Sequence, residues 1–124
     1  MPRATGRRGL GQRGEALAAD YLRRMGYQVL ATNFRCQWGE VDIVAMDGET
    51  LVFVEVRTRR GDNFGTPQES LTLRKREHLI ATAETYLQEH SEASEEWRID
   101  LVSILAKRGS DPAIEHLRSA VQQE

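Results

Sequence analysis

The sequence predicts a single mixed α/β domain in which a central sheet is flanked by helices. Apolar residues recur at helical spacing near residues 10–25 and 73–87, and strand-like segments occupy residues 27–58 and 97–106. The predicted order is therefore α-β-β-β-α-β, in which a helix crosses between strands of one sheet. The chain has 124 residues, a length that suits one hydrophobic core.

The first helix is expected to begin at Leu10 and to end at Gly26, a residue type typical of helix C-termini. The segment before it, residues 1–9, is rich in Arg and Gly and has little to bury. We therefore predict a flexible basic N-terminus over residues 1–9 and a single domain over residues 10–124.

Three strands are expected next, at Tyr27–Phe34, Glu40–Met46 and Thr50–Thr58. A Gly- and Asn-containing loop follows, and then Thr66-Pro67-Gln68-Glu69 has the form of a capping box that starts the second helix. Its predicted apolar stripe consists of Leu73, Leu79, Ile80, Ala83, Tyr86 and Leu87. Residues 97–106 read as a further strand, whereas the tail AIEHLRSAV fits strand or helix equally well.

Charge is distributed unevenly, although the net charge is only −2. Residues 1–76 hold thirteen Lys or Arg against nine Asp or Glu, and residues 77–124 hold four against ten. A basic face is a candidate docking surface for nucleic acid, and the residues proposed for it are Arg59, Arg60, Arg74 and Lys75. The alternative is that these clusters are ordinary solvated faces.

The composition also indicates the cellular compartment of the protein. Apolar runs are all shorter than the roughly 20 residues that a membrane span needs, and the N-terminus has no apolar core of a signal peptide. Cys36 is the only cysteine, which excludes an internal disulfide and a cysteine-based zinc cluster. We expect a cytoplasmic protein with no membrane partner.

Two acids lie inside the hydrophobic hairpin GEVDIVAMDGETLVFVEVRTR, where an ionised carboxylate is costly to bury without a partner. If Gly48-Glu49 form the hairpin tip, Asp42 lies opposite Glu55 and Glu40 opposite Arg57. If Asp47-Gly48 form it, Asp42 meets Glu55 only diagonally. Either register brings the two carboxylates within reach of one shared ion.

A divalent cation between Asp42 and Glu55 would relieve their repulsion. Mg²⁺ or Mn²⁺ suits such oxygen ligands and leaves positions for water and a phosphate oxygen, as metal-assisted phosphodiester hydrolysis requires. The structural alternative is a set of cross-strand ion pairs, Glu40 with Arg57 and Asp42 with another arginine.

Several segments carry a resemblance to a known family: GEALAADYL, NFR, GEVDIV, FVEVRTR and FGTP, which together span most of the chain. They resemble the YraN family of uncharacterised proteins, related to archaeal Holliday-junction resolvases. The acids resemble the Asp…(Asp/Glu)-x-Lys signature of the restriction-endonuclease-like nucleases.

The resemblance implies a restriction-endonuclease-like mixed central sheet and a DNA endonuclease that acts on branched or junction structures. It implies Asp42 and Glu55 as metal ligands, the Val56 carbonyl as a third ligand, and Glu15 as the residue that completes the acidic cluster. It also suggests a homodimer, because a two-fold protein suits a two-fold junction. DNA is a more natural partner than RNA on this resemblance.

Arg57 occupies the position of the signature lysine, and this is the departure from the pattern. Arginine is effectively always protonated, so Arg57 is suited to clamp a phosphate and stabilise negative charge, not to act as a base. Two alternatives follow: a nucleic-acid-binding module that has the fold but no turnover, and an interaction domain in which the acids form ion pairs.

Expectations also follow for residues outside the carboxylate pair. Glu40 is expected to form an ion pair, and Asp100 to pair with Arg98 or a backbone amide. Trp38 and Phe64 are candidates either for stacking on bases or for packing against the sheet edge. The three histidines are expected at the surface: His78, His90 and His116.

Overall fold

The computed structural model describes residues 6–60, 67–90, 92 and 95–121, with side chains from residue 12 onward. Its elements are α1 (Gly6–Arg24), β1 (Gln28–Cys36), β2 (Gly39–Asp47), β3 (Thr50–Arg60), a 3-10 helix (Pro67–Ser70), α2 (Leu73–Glu89), β4 (Trp97–Ala106) and β5 (Ala113–Val121). The predicted α-β-β-β-α-β order is confirmed, and the undecided tail is a fifth strand. Neither described helix is long and apolar enough to cross a membrane.

The five strands form one sheet in the order β1-β2-β3-β4-β5. Neighbours are antiparallel except β3 and β4, which run parallel and are joined through α2. The central strand β3 is buried on both sides over residues 51–54, which explains its unbroken apolar run LVFV. The protein is therefore a mixed α/β domain with a five-stranded sheet flanked by helices.

Each helix covers one face of the sheet and forms its own core. On the α1 side the buried side chains are Ala18, Ala19, Leu22, Tyr27, Ile43, Ala45, Val52, Val54, Val102 and Ile104. On the α2 side they are Val41, Val44, Leu51, Phe53, Leu71, Leu79, Ala83, Tyr86, Ile99, Leu101 and Val121. The pattern through residues 43–46 and 51–54 alternates between these cores, as strand geometry requires.

The helix boundaries differ from the expected ones. Helix α1 begins at Gly6, four residues before Leu10, and Gly26 follows its end with a φ of 95°, a conformation that glycine adopts readily. The capping box at residues 66–69 is wrong as the start of α2: Thr66 lies outside the described residues, and Pro67–Ser70 form a separate 3-10 helix.

Helix α2 instead starts after Thr72, whose side chain accepts a hydrogen bond of 3.2 Å from the backbone N–H of Lys75. Leu73 is 74% exposed and so does not belong to the apolar stripe predicted for this helix. It occupies the first turn of α2, and the stripe that packs on the sheet begins six residues later, at Leu79.

A buried polar network ties β4, β5 and α1 together. Asp100 is fully buried and accepts hydrogen bonds from Arg98 Nε (3.0 Å) and the Ser119 N–H (2.9 Å), so its expected pairing is confirmed. His116 Nε2 lies 2.8 Å from Asp100, and His116 Nδ1 lies 3.1 Å from the Tyr21 hydroxyl. The expectation of a surface His116 is therefore wrong, because a buried carboxylate needs this partner. Burial alone would raise the pKa of Asp100, but the hydrogen bonds from His116 and Arg98 lower it.

We expect Gly14→Ala to destabilise the protein, although alanine normally favours a helix. A methyl group at Gly14 would overlap the hydroxyl oxygen of Thr58 and stand 3.2 Å from its Cβ. Overpacking of this kind costs roughly 1–3 kcal/mol, which exceeds the helix gain of about 1 kcal/mol. Urea unfolding would measure the loss, and adding Thr58→Ala should restore most of it. If the double variant is as unstable as Gly14→Ala alone, this close approach is not the cause.

Candidate active site

The candidate site lies where strands β2 and β3 stop pairing and separate, just beyond the Ile43–Val54 pair. We call this place the fork. Strands β2 and β3 pair from Asp47–Thr50 down to Ile43–Val54, so Gly48-Glu49 form the hairpin tip. Beyond that last pair β2 stays with β1 and β3 stays with β4. The same register places Asp42 and Glu55 opposite each other at the first position of the fork, as the first of the two predicted registers requires.

Asp42 is held at the fork by two neighbours. Its Oδ2 accepts a 2.7 Å hydrogen bond from the Val56 N–H, and its carboxyl group shares a hydrogen bond with the carboxyl group of Glu55. A hydrogen bond between two carboxyl groups requires a proton on one of them. Burial, the charge of Glu55 and the charge of Glu15 together raise the pKa of Asp42 to about 8. Asp42 therefore holds a proton near neutral pH in the metal-free chain.

Glu55 is 6% exposed and is paired with a cation from the second helix. The Nζ of Lys75 lies 3.0 Å from Glu55 Oε2, and the Lys75 side chain is 34% exposed. The cap at Thr72 sets the start of α2 so that Lys75 faces the fork. The sequence suggested Lys75 only as a nucleic-acid contact, but the structure brings it to the carboxylate pair.

Glu15 approaches the same fork from α1. With its side-chain amide oriented to donate, Asn33 lies 3.2 Å from Glu15 Oε1 and 2.8 Å from Glu40 Oε2. Glu40 also forms the expected ion pair, but with Arg35 at 3.3 Å. Asn33 thus connects Glu15 to the start of β2.

Asn33 is a site residue that the sequence interpretation missed. It has a φ of 57°, a left-handed conformation that asparagine tolerates better than most residues. It lies across from Asp42, between the Thr32–Ile43 and Phe34–Val41 pairs of β1 and β2. The available signal was an asparagine in the middle of the strand-like segment VLATNFRC.

Arg57 is half-buried on β3, two residues beyond Glu55, and is aligned with Ser103 of β4. In residues 12–60, 67–90 and 95–121 it forms no ion pair with Glu40, and no arginine pairs with Asp42. The cross-strand pair of Glu40 with Arg57 is therefore wrong, because β2 and β3 have already separated at these positions. The pairing of Asp42 with another arginine does not occur among the described side chains. One acid of the site, Glu55, is nevertheless balanced by Lys75.

The remaining predicted contact residues are spread over several elements. Arg60 is exposed at the end of β3, Arg59 is half-buried and has a partner, and Arg74 is exposed on the first turn of α2. Trp38 is 47% exposed in the β1–β2 turn, so edge packing does not bury it. Phe64 lies outside the described residues.

The donor atoms at the fork suit a hard divalent cation. Asp42, Glu55 and the nearby Glu15 offer carboxylate oxygens, and the Val56 carbonyl lies on the same side of β3 as the N–H that bonds Asp42. Among the described residues, no three acidic, His or Cys side chains are already arranged around a common metal position. A cation would have to displace the proton on Asp42 and the ammonium of Lys75.

The fold and the site together define a mixed α/β protein with a carboxylate pair at a fork in its sheet. The chain belongs to the family described as Uncharacterised protein family UPF0102, whose family model matches residues 14–104. This match confirms the resemblance to the YraN family.

Proteins named UPF0102 protein are similar over nearly the whole length of both chains. The one from Roseiflexus castenholzii is 49% identical over 96% of this chain and 98% of its own length. The protein from Dehalococcoides mccartyi is 46% identical over 98% and 99%, respectively. The protein from Herpetosiphon aurantiacus is 45% identical over 94% and 96%.

Proposed function

We propose that this chain is a Mg²⁺- or Mn²⁺-dependent endonuclease of restriction-endonuclease-like architecture, related to archaeal Holliday-junction resolvases. It hydrolyses phosphodiester bonds in DNA, with branched or junction structures as the preferred substrates, and it works as a homodimer in the cytoplasm. The observation that carries the proposal is the contact between the carboxyl groups of Asp42 and Glu55 at the fork. The half-buried Asp42 and the buried Glu55, which share a proton, offer their oxygens to a cation that would replace that proton.

Asp42, Glu55 and the Val56 carbonyl would hold the metal, with Glu15 completing the acidic cluster. When bound, the ion polarises the phosphate and lowers the pKa of the attacking water. Asp42 must lose its shared proton before it can bind a cation, so activity should rise with pH through about 8, the pKa of that carboxyl.

Two cations of the chain act on the substrate. Lys75, once released from Glu55, donates to a phosphate oxygen and stabilises the charge that develops on it. Arg57 binds a neighbouring phosphate oxygen as a fixed positive charge. Lys75 thus supplies from α2 the lysine that the signature lacks at position 57.

The second candidate is a nucleic-acid-binding module with the same fold and no turnover. The observation that favours it is the Lys75–Glu55 ion pair, because a stable ammonium at the site competes with a divalent cation. DNA binding through Arg57, Arg60 and Arg74 would then be the whole activity.

Incubation with plasmid, single-stranded and four-way-junction DNA separates the two candidates. We expect cleavage that requires Mg²⁺ or Mn²⁺, prefers the junction and stops on addition of chelator. Asp42→Asn is the inactive control for a contaminating nuclease. Binding without cleavage by the parent protein under all these conditions would establish the binding module instead.

A further inference from the structure

A cavity of about 570 Å³ lies on the α1 side of the sheet. Its walls come from α1, the end of β3 and the end of β4 with the turn that follows it. Pockets for small organic groups have this size, whereas a bare phosphate needs far less room.

The rim of the cavity is strongly basic. Arg13, Arg60, Lys107 and Arg108 line it, and none of the described residues that line it carries a carboxylate. Within the part of the chain that the structure describes, none of these four side chains forms an ion pair. The rim therefore suits an anion with spread charge, such as consecutive phosphates.

The floor of the cavity is apolar. It consists of Leu17 from α1, Ile104 and Ala106 from β4, and Pro112. Leu17 is 37% exposed although it lies next to the buried Ala18, so an apolar ligand could cover it. A flat apolar group held beneath phosphates has the shape of a nucleobase, and guanidinium planes at the rim add stacking surfaces.

Two residues of the cavity wall are sequence neighbours of candidate-site residues. Gly14 in its wall precedes Glu15, and Thr58 in its wall follows Arg57. Gly14 and Thr58 also approach each other closely, so α1 lies directly against the end of β3 at this wall. The cavity and the acidic site therefore share α1 and β3, although Glu55 pairs with Lys75 of α2, the helix on the opposite face of the sheet.

We propose that this cavity binds one unpaired nucleotide of a DNA strand, with its phosphates on the basic rim and its base on the apolar floor. A base inside a duplex is stacked and cannot reach the floor, so duplex DNA would touch only the rim. The inference deepens the proposed function, on which it rests for the choice of DNA as the ligand: the substrate has a single-stranded segment.

Binding in chelator tests the cavity without cleavage. The probes are a blunt fluorescein-labelled duplex and the same duplex with a short oligo-dT overhang, compared by anisotropy at physiological salt. The parent protein should bind the overhang duplex about tenfold more tightly than the blunt one. Equal affinity for the two probes would overturn the proposal.

Three variants test whether the cavity causes the preference for the overhang. Leu17→Glu puts a carboxylate on the floor and should abolish the preference for the overhang, while Arg108→Ala should weaken overhang binding about two- to fivefold. Arg24→Ala removes the same charge at the far end of α1, where Arg24 is exposed, and should change neither affinity. Both cavity variants lie at the surface, and thermal unfolding verifies that they fold. If Leu17→Glu keeps the preference, the base does not use this floor.

The source of the nucleotide is tested by competition with thymidine 5′-monophosphate. A DNA strand should resist displacement by equimolar mononucleotide, and efficient displacement would instead indicate a site for free nucleotides. Overhang preference without any cleavage activity would overturn the proposed endonuclease and leave this site standing. Cleavage without overhang preference would support the proposed endonuclease and overturn the nucleotide-binding cavity.

Discussion

Asp42→Asn is expected to abolish metal-dependent cleavage and, at the same time, to raise the thermal stability of the metal-free protein. The asparagine keeps the shape of the side chain and the hydrogen bond from Val56, but it has no negative charge to offer a cation. It also has no carboxyl to ionise, so folding no longer costs the free energy of either protonating Asp42 or charging it next to Glu55. A loss of activity with a gain of stability distinguishes a functional acid from a structural one.

The direction in which pH changes the free energy of unfolding follows from the pKa of Asp42. This pKa is about 8 in the folded chain, whereas the ordinary value is 3.8. Between these values the folded chain holds a proton that the unfolded chain releases. The contribution of Asp42 to the free energy of unfolding is therefore largest below about pH 4 and is lost as pH rises to about 8, by an amount on the order of 2–5 kcal/mol. Asp42→Asn should remove this slope.

Calorimetry in chelator from pH 5 to 9 measures the effect, with Asp111→Asn as the control at an exposed acid. Mg²⁺ should raise the melting temperature of the parent protein, because it binds only the folded site, and should leave Asp42→Asn unchanged. The opposite result would be a loss of roughly 3–5 kcal/mol, as expected when one partner of a buried ion pair is removed. That loss, with no response of the parent to metal, would establish a structural role.

Lys75→Met is expected to reduce cleavage about a hundredfold or more while tightening divalent metal binding. The methionine keeps the length of the side chain but removes the ammonium, which competes with metal for Glu55 and acts on the phosphate once released. Stability of the metal-free protein should fall by about 1–3 kcal/mol, a modest loss because Lys75 is one-third exposed and its pair is partly screened.

Single-turnover cleavage and metal titration by calorimetry measure the two effects. Arg118→Met removes a charge at an exposed position on β5 and is the matched control. If Lys75 serves as the lysine that position 57 lacks, Arg57→Lys in the Lys75→Met background should restore part of the activity. Full cleavage by Lys75→Met would show that this lysine is only a counter-ion for Glu55.

The sequence by itself determined the elements and the pair of acids. Alternating and continuous apolar runs identify strands directly, because side chains alternate across a strand. The same pattern made Asp42 and Glu55 conspicuous, since carboxylates are costly among buried Val, Ile and Phe. The sequence left two hairpin registers open, and the structure has the one with Gly48-Glu49 at the tip.

Only the tertiary structure decided which side chains meet at the site. Lys75 follows Glu55 by twenty residues, and Asn33 joins Glu15 to Glu40 across α1, β1 and β2; no local period encodes such contacts. His116 shows the same limit, because its burial depends on Asp100 of the neighbouring strand. Sequence periodicity reports which face of an element is buried, whereas the partner across that face is set by how helices and strands pack in three dimensions.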